Sequence, residues 1–483
     1  MTEYEAVIGL ECHVELSTRT KMFCGCPNEF GGEPNTRTCP ICLGHPGTLP
    51  VPNRQAIEYT MRIALALDSE IASRSLFHRK NYFYPDMPKN YQISQYDLPI
   101  GAGGHLDVEV DGEVRRIGMN RVHLEEDTGK TIHPGTTGRI SEAEYALEDF
   151  NRAGVPLVEV VSEPEIRTPE EARAYLQELR ALLEALGVSD VRMEEGSLRC
   201  DANVSLRPIG SPEYGTKVEI KNMNSIRSVE RAVRYETERQ RQALEAGETL
   251  VQETRHWDEG EGVTLSLRSK EYAFDYRYFP EPDLNPIEPD REWIDRLRED
   301  LPELPAARRR RFEERYGLEP AQARLVAGSV EWAGFLEEAV TLGAEARAAA
   351  NWMTGDLAAH IRESGDSLEA SPLKPQHLAD LVRLVAEGTI STAGAKQALA
   401  DAFASGKGVE QIVEERGLAQ ISDESALGAV LDEVIGENPG PVEQFRGGKE
   451  GVMGFLVGQV MKKTGGAANP QEAQRLLRER LSP

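Results

Sequence analysis

His105-Leu-Asp-Val-Glu-Val110, Asp111-Gly112, Glu113-Val-Arg-Arg-Ile117 sets two alternating runs on either side of an Asp-Gly pair. Alternation at period two marks half-buried strands, and Asp-Gly tolerates the positive φ angles of a tight turn, so this stretch predicts a β-hairpin. A second stretch has the other period. Thr168 can cap a helix, Pro169 suits its first turn, Glu170 and Glu171 complement its dipole, and Gly187 can end it. Between them Tyr175, Leu176, Leu179, Leu182, Leu183 and Leu186 form one apolar stripe at helical spacing, as for a helix lying on a sheet. Residues 1–292 therefore read as a mixed α and β domain.

Outward from there the texture changes. Pro280, Pro282, Pro286 and Pro289 punctuate a short acidic stretch after Phe279 that is no single regular element, and a linker is expected there. Residues 293–405 favour helix, with Gly and Pro at the ends of the apolar periods, and read as a helical domain. Ala404-Ser-Gly-Lys-Gly-Val409 then leads into a last unit, residues 406–483, of short helices broken at Pro439-Gly440. A chain of 483 residues has room for about three domains, each large enough to fold without disulfide staples.

Charge and composition narrow the class. Lys plus Arg number 55 against 81 Asp plus Glu, a formal net charge of −26, which argues against indiscriminate coating of a phosphate backbone. An apolar fraction of 40% excludes a wholly disordered chain. No apolar run reaches the roughly 20 residues of a membrane span, so no membrane partner is expected. The opening MTEYEAVIGLECHVEL lacks a basic start, apolar core and small-residue cleavage site, and a cytoplasmic protein is expected.

In a reducing compartment six cysteines matter by spacing rather than number. Cys24-x-Cys26 and Cys39-x-x-Cys42 place two thiol pairs on Gly- and Pro-rich loops, the pattern of a structural zinc site with four ligands about 2.3 Å from the metal. Four unmetallated thiols or a redox pair are the other readings. Cys12 and Cys200 stand apart and read as buried small hydrophobes.

Three acidic clusters recur among apolar neighbours. Glu11-Cys-His13-Val-Glu15 puts Glu11, His13 and Glu15 on one strand face; His123-Leu-Glu125-Glu126-Asp127 sets carboxylates beside a histidine; Pro156-Leu-Val-Glu159 places one acid in an apolar run. Acids in such settings cost free energy unless paired or metal-bound. Hard oxygen ligands with an occasional imidazole suit Mg²⁺ holding nucleotide phosphates, and a salt-bridged face fits each cluster alone. Lys80, among the aromatics of Phe77-His-Arg-Lys-Asn-Tyr-Phe-Tyr-Pro-Asp86, is either a cation for a transferring phosphoryl group or part of a stacked surface turn. Gly129-Lys130-Thr131 is not a P-loop, because Leu124 stands where that motif needs glycine. No nucleophilic elbow or nucleophile–base pairing is visible, which disfavours acyl-enzyme chemistry.

The chain resembles the B subunits of the tRNA-dependent amidotransferases. The resemblance rests on Val7-Ile-Gly-Leu-Glu11-Cys-His13-Val-Glu15-Leu, Arg79-Lys80-Asn-Tyr-Phe-Tyr-Pro-Asp86, Tyr91-Gln-Ile-Ser-Gln95-Tyr and His123-Leu-Glu125-Glu126-Asp127. It continues through Asp149-Phe-Asn-Arg-Ala-Gly-Val-Pro-Leu157, Glu194-Glu-Gly-Ser-Leu-Arg-Cys-Asp-Ala-Asn-Val-Ser205, Lys221-Asn-Met-Asn-Ser225, Asp275-Tyr-Arg-Tyr-Phe-Pro-Glu-Pro-Asp283 and Gly454-Phe-Leu-Val-Gly-Gln-Val-Met-Lys462. It implies an α+β fold: a cradle with a mainly antiparallel sheet, then an all-α domain and a small helical tail.

It also implies an activity. ATP and Mg²⁺ would phosphorylate the side-chain carboxylate of Glu-tRNA(Gln) or Asp-tRNA(Asn), and ammonia channelled from a glutamine-hydrolysing amidase (the A subunit) would displace the phosphate. A small C subunit would strap the two large chains together, and the synthetase that misacylates the tRNA is a further partner. By the same resemblance Glu11, His13, Glu125, Glu126, Glu159 and Glu219 lie near magnesium, with Lys80, Glu125 and Glu126 catalytic. Cys24, Cys26, Cys39 and Cys42 match the zinc-bearing branch.

The net charge is unevenly spread. Residues 440–483 carry seven basic residues against four acids, and Arg446, Lys449, Lys462 and Lys463 are the expected tRNA contacts; residues 408–439 carry Arg416 against eight acids. Arg308 to Arg311 form another cluster, and each basic patch also fits a solvated helix face. An ATP-using ligase subunit leads over a zinc-bearing RNA-binding protein and an assembly scaffold.

Overall fold

The computed structural model describes residues 3–134, 145–266, 276–420, 424–464 and 466–482. The chain divides into two compact units, Met1–Pro305 and Ala306–Pro483. In chain order the first contains β1 (Tyr4–Glu15), α1 (Arg54–Ala66), β2 (Glu70–Ile71), β3 (His78–Asn81), β4 (Tyr91–Ser94) and β5 (Gly101–Ala102). Then come β6 (His105–Val110), β7 (Glu113–Glu126), β8 (Lys130–Ile132), β9 (Leu147–Asp149), β10 (Pro156–Ser162) and α2 (Pro169–Leu186). β11 (Leu198–Pro208), β12 (Val218–Met223), α3 (Ile226–Glu245), β13 (Glu253–Asp258), β14 (Val263–Ser266), β15 (Phe279–Pro280) and α4 (Arg291–Glu299) complete it.

The expected hairpin is β6–β7, with Val110 opposite Glu113. Asp111 at φ 52° and Gly112 at φ 82° make the turn left-handed at both central positions. α2 starts and stops where its sequence says: Glu171 N–H donates to Thr168 Oγ1 at 3.1 Å, and Gly187 takes φ 65°. Its leucine stripe is buried in the core.

The main sheet runs β14-β13-β12-β11-β1-β10-β7-β5-β2, with β6 beside β7. Among the described residues every pairing in it is antiparallel except β12 with β13. One face carries Ile8, Leu10, Cys12 and Val14 of β1 with Val158 and Val160 of β10, all fully buried, and α1, α2 and α3 pack against this side of the unit. Cys12 and Cys200, directly opposed across β1 and β11, are both in this core as expected.

A small sheet, β15-β3-β4, holds Lys80. The proline-rich stretch, which after β15 is no regular element, docks on this sheet and its neighbours. Phe279 pairs with Arg79, the Glu281 carboxylate accepts from Arg79 at 2.7 and 2.8 Å, and Ile287 exchanges backbone bonds with Ser75. Pro280 is accommodated because β15 is an edge strand, where a missing N–H costs no ladder bond. Asp275, the first residue of that motif, lies outside the described residues. Beyond it, α4 places Leu297 in the core of the first unit.

The second unit is helical, so the chain as a whole is α+β, as the sequence predicts. It has two cores. One gathers Phe312, Leu336, Leu378 and Leu399 and takes in Val409, Ile412 and Val413 of the helix Val409–Arg416; the other gathers Leu427, Leu431, Leu456 and Leu477. Among the described residues no helix is long and apolar enough to cross a membrane.

Candidate metal and phosphoryl-transfer site

Strand pairing builds the site on the polar face of the main sheet. His13 on β1 stands opposite Glu159 on β10, which stands opposite His123 on β7. Directly opposed residues in an antiparallel pair share a face, so this row projects two imidazoles and a carboxylate together. The next row brings Glu15, Leu157 and Glu125, and the row before it Glu11, Val161 and Arg121.

The contacts are tight. His13 Nε2 is 3.4 Å from Glu159 Oε2, and His123 Nε2 is 3.5 Å from both Glu159 Oε2 and Glu125 Oε2. Arg121 Nη2 donates to Glu159 Oε1 at 3.1 Å, Arg121 Nε to His123 Nδ1 at 3.3 Å, and Ser94 Oγ to Glu125 Oε2 at 2.8 Å. With Nδ1 engaged by Arg121, His123 presents Nε2 to the two carboxylates.

Burial alone would raise Glu159, but His123, the hydrogen bond with His13 and Arg121 override it and hold the carboxyl well below its usual range. Glu125 is likewise buried yet lowered, by the hydrogen bond and charge of His123 and by Lys80. Burial opposes the charge on His13, and Glu159 outweighs it, so the imidazole is raised. Lys80, half-buried above Tyr276 with its Nζ 4.9 Å from the ring centroid, is raised against desolvation, chiefly by Glu125.

His13, Glu125 and Glu159 can each offer a ligand atom within 4.8 Å of the others. One imidazole and two buried, ionised carboxylates fit a hard divalent cation such as Mg²⁺. The remaining sequence candidates are placed differently. Glu11 shares this face and accepts from Asn203 Nδ2 at 2.8 Å, while the buried Asn203 Oδ1 has no partner. Glu219, on β12, is engaged by Lys221 Nζ at 3.0 Å and Thr254 Oγ1 at 2.9 Å. Burial opposes its ionisation, and Lys221 lowers it. Glu126 follows Glu125 on a strand and so points to the opposite face, where it accepts from Lys89 Nζ and from Ile93 N–H at 2.9 Å. It borders a cavity of about 220 Å³ shared with Cys24, Cys42 and Arg79. Sequence reading passed over Arg121 and Ser94 and gave His123 no role; the i, i+2 spacing of Arg121, His123 and Glu125 on one strand is the signal that finds two of them.

The four cysteines of the paired loops converge, all free, with sulfurs within 4.8 Å of one another. Four ligands about 2.3 Å from one centre lie about 3.8 Å apart, and Cys39 Sγ to Cys42 Sγ is 3.9 Å. The Cys42 thiol is lowered to about 5, first by the hydrogen bond from Cys24 and, against burial, by Cys39 N–H and Lys21; Cys24 is raised correspondingly. Four convergent thiols at this spacing are a donor set that suits zinc.

In the tail, four of the seven basic residues are already paired: Lys463 with Glu433 and Glu437 at 2.8 and 2.7 Å, Arg475 with Glu479 at 2.7 Å, Arg478 with Glu450 at 3.5 Å, and Arg480 with Asp432 at 2.5 Å. Arg446, Lys449 and Lys462 are exposed.

Residues 6–295 match the model of the GatB/GatE catalytic domain, and residues 334–481 that of the GatB domain. Three curated relatives are each named as the B subunit of an aspartyl/glutamyl-tRNA(Asn/Gln) amidotransferase. That of Carboxydothermus hydrogenoformans is 54% identical over 482 residues, covering 100% of both chains. That of Moorella thermoacetica is 55% identical over 479 residues, covering 99% of this chain and 100% of the relative. That of Thermosynechococcus vestitus is 53% identical, covering 99% and 97%. Matched over its full length at this identity, the chain belongs to the family of B subunits of the aspartyl/glutamyl-tRNA(Asn/Gln) amidotransferase.

Proposed function

We propose that this chain, within a tRNA-dependent amidotransferase, carries out the ATP-dependent step, phosphorylation of the side-chain carboxylate on misacylated Glu-tRNA(Gln) or Asp-tRNA(Asn), and then its amidation. The supporting observation is the convergence of His13, Glu125 and Glu159, with the Lys80 charge acting on both carboxylates. A carboxylate is a poor acceptor for ammonia, and phosphoryl transfer supplies the missing leaving group. A carboxylate oxygen attacks the γ-phosphorus as the bond to the β-phosphate oxygen breaks and ADP departs; ammonia then adds to the acyl carbon and inorganic phosphate leaves. This chemistry needs positioned positive charge and no protein nucleophile, which matches the residues at hand.

Magnesium, when held by His13, Glu125 and Glu159, would neutralise phosphate oxygens. Lys80, on the small sheet, carries its full charge at neutral pH and interacts electrostatically with Glu125 and Glu159. Arg121 and His123 hold Glu159, and Ser94 holds Glu125, so both carboxylates are oriented before substrate arrives. The Cys24, Cys26, Cys39 and Cys42 cluster would hold structural zinc that fixes the loops bordering Glu126.

Membership of a B-subunit family implies companion chains. An amidase partner, the A subunit, would release ammonia from glutamine, a small C subunit would join the two large chains, and Arg446, Lys449 and Lys462 of the tail would meet the tRNA. The test is purification with the native partners and assay of ATP-dependent amidation of Glu-tRNA(Gln) and Asp-tRNA(Asn). Ammonium should replace glutamine when the partner's glutaminase is inactivated; no amidation under those conditions would sink the proposal.

A further inference from the structure

The small sheet that carries Lys80 also carries an exposed aromatic cluster that the phosphoryl-transfer site does not use. Tyr96 and Tyr278 stack with ring centroids 4.4 Å apart and planes inclined by 11°, yet Tyr96 remains 59% exposed and Phe83 69% exposed. The segments that supply Phe83 and Tyr278 are joined: Asn81 N–H donates to Tyr276 O at 3.0 Å, and Asn81 Nδ2 to Arg277 O at 2.8 Å. Both interleave aromatics with cations, as Arg79-Lys80-Asn81-Tyr82-Phe83-Tyr84 and Tyr276-Arg277-Tyr278-Phe279. Arg277 lies over the Phe83 ring, its Cζ 5.7 Å from the centroid.

Short steps connect this surface to the reacting centre. Lys80 Nζ is 4.9 Å from the Tyr276 centroid, Tyr276 is 6.1 Å from Tyr278, and Tyr278 is 4.4 Å from Tyr96. A substrate carboxylate presented at Lys80 comes tethered. Six bonds join a glutamyl side-chain carboxyl carbon to the ribose that bears it, so at about 1.5 Å per bond the ribose lies within about 9 Å of the reacting carbon. The far end of the tyrosine ladder is therefore within reach of the base on that ribose. Unpaired RNA bases are bound by stacking on aromatic rings beside cations, and a lone exposed ring seated on another ring is a ready stacking face.

We propose that Tyr96, backed by Tyr278, is the stacking platform for the terminal base of the acceptor strand, and that Phe83 with Arg277 guides the strand towards it. The inference rests on the proposed tRNA substrate and names the place where its unpaired end is held. Tyr96 and Tyr278 are positioning residues: they fix the esterified amino acid over Lys80 and take no part in the chemistry.

The test uses the full complex with its native partner chains and a tRNA carrying 2-aminopurine as its last base, whose fluorescence falls on stacking. Binding should quench the probe with the wild type and with Tyr96→Phe, and Tyr96→Ala should lose at least half of the quenching. With misacylated tRNA, Tyr96→Ala should raise KM about tenfold with kcat nearly unchanged, and Tyr96→Phe should restore it. An unquenched probe on the wild type, which needs no variant to interpret, overturns the platform. So does full quenching by Tyr96→Ala, including the case in which that variant sheds a partner chain and the surface proves to be a protein contact. The two readings fail separately: quenching without ATP-dependent amidation would remove the proposed function and leave the platform, and amidation without quenching would do the reverse.

Discussion

His13 Nε2 lies 3.4 Å from Glu159 Oε2 across the β1–β10 pair, although the two residues are far apart in the chain. His13 lowers the carboxyl of Glu159, and Glu159 raises the imidazole of His13. A buried carboxylate left without such partners would protonate, and one that stays ionised remains available to a cation. The same logic extends to Glu125, kept ionised by His123 and Lys80. The face is preorganised for positive charge before any cation arrives.

Replacing Glu125 with Gln keeps the shape and removes one metal-directed charge. Phosphoryl transfer from γ-labelled ATP to misacylated tRNA should fall by about 100-fold or more, as for loss of a preorganised electrostatic group. The thermal midpoint should move little, because the amide can still accept from Ser94 Oγ. Labelled product at the wild-type rate would remove Glu125 from the site.

Glu15 gives the apo chain a pH dependence of definite sign. Burial first and the neighbouring Asp127 second push its carboxyl up to about 8 from an ordinary 4.5, while Asp127, despite its burial, is held down to about 2 by Arg199 and Arg152. Between about pH 4.5 and 8 the folded chain keeps a proton on Glu15 that the unfolded chain has released, so stability falls as pH rises through that window, by up to about 1.4 kcal/mol per pH unit. Asp127 acts oppositely, adding stability above its ordinary 3.8 that is lost as pH falls through about 2. Thermal melts across this range should slope downward with pH for the wild type and flatten for Glu15→Gln. An equal slope in both would show that Glu15 titrates normally.

Chelation should act on the loops rather than on the sheet. Zinc quantitation should find about one ion per chain, and Cys39→Ser should abolish it, since a structural site tolerates no missing ligand. In stripped protein the loops around Cys24 to Cys42 should become protease-sensitive while the segment Tyr4–Glu15, whose apolar face is fully buried, stays protected. Unchanged cleavage after stripping would mean that the thiols alone hold the loops.

What was legible in the sequence was local. The Asp111-Gly112 turn and the Thr168 and Gly187 caps are each set by residues within a few positions of each other, and they fold as read. The site was half legible. Its acids stand out because charge in an apolar run is conspicuous, but which of them meet depends on strand register, a non-local property. Hence Glu125 and Glu126, adjacent in sequence, were grouped, and alternation sends one to His123 and the other to Lys89. The docking of the proline stretch was not legible for a related reason: a proline breaks a central strand but is tolerated at an edge, and only the fold reveals that β15 is one.

The tail offers a prediction that the ion pairs sharpen. Lys462 and Lys463 look equivalent in sequence, yet Lys463 reaches Glu433 and Glu437 and must give up those contacts to meet a phosphate. Exposed pairs of this kind are weak, so the difference is one of degree. Lys462→Ala should weaken tRNA binding and lower the log–log salt slope by roughly one, and Lys463→Ala should do so less. The helix Val409–Arg416 contributes to the larger helical core, so a truncation meant to remove only the tail must begin after it. Deleting residues 424–483 takes away the smaller core whole and should weaken tRNA binding while the partner's glutaminase stays intact. Unchanged affinity at fixed salt would place the tRNA contacts elsewhere, and Lys463→Ala exceeding Lys462→Ala would show that its acidic partners do not hold it.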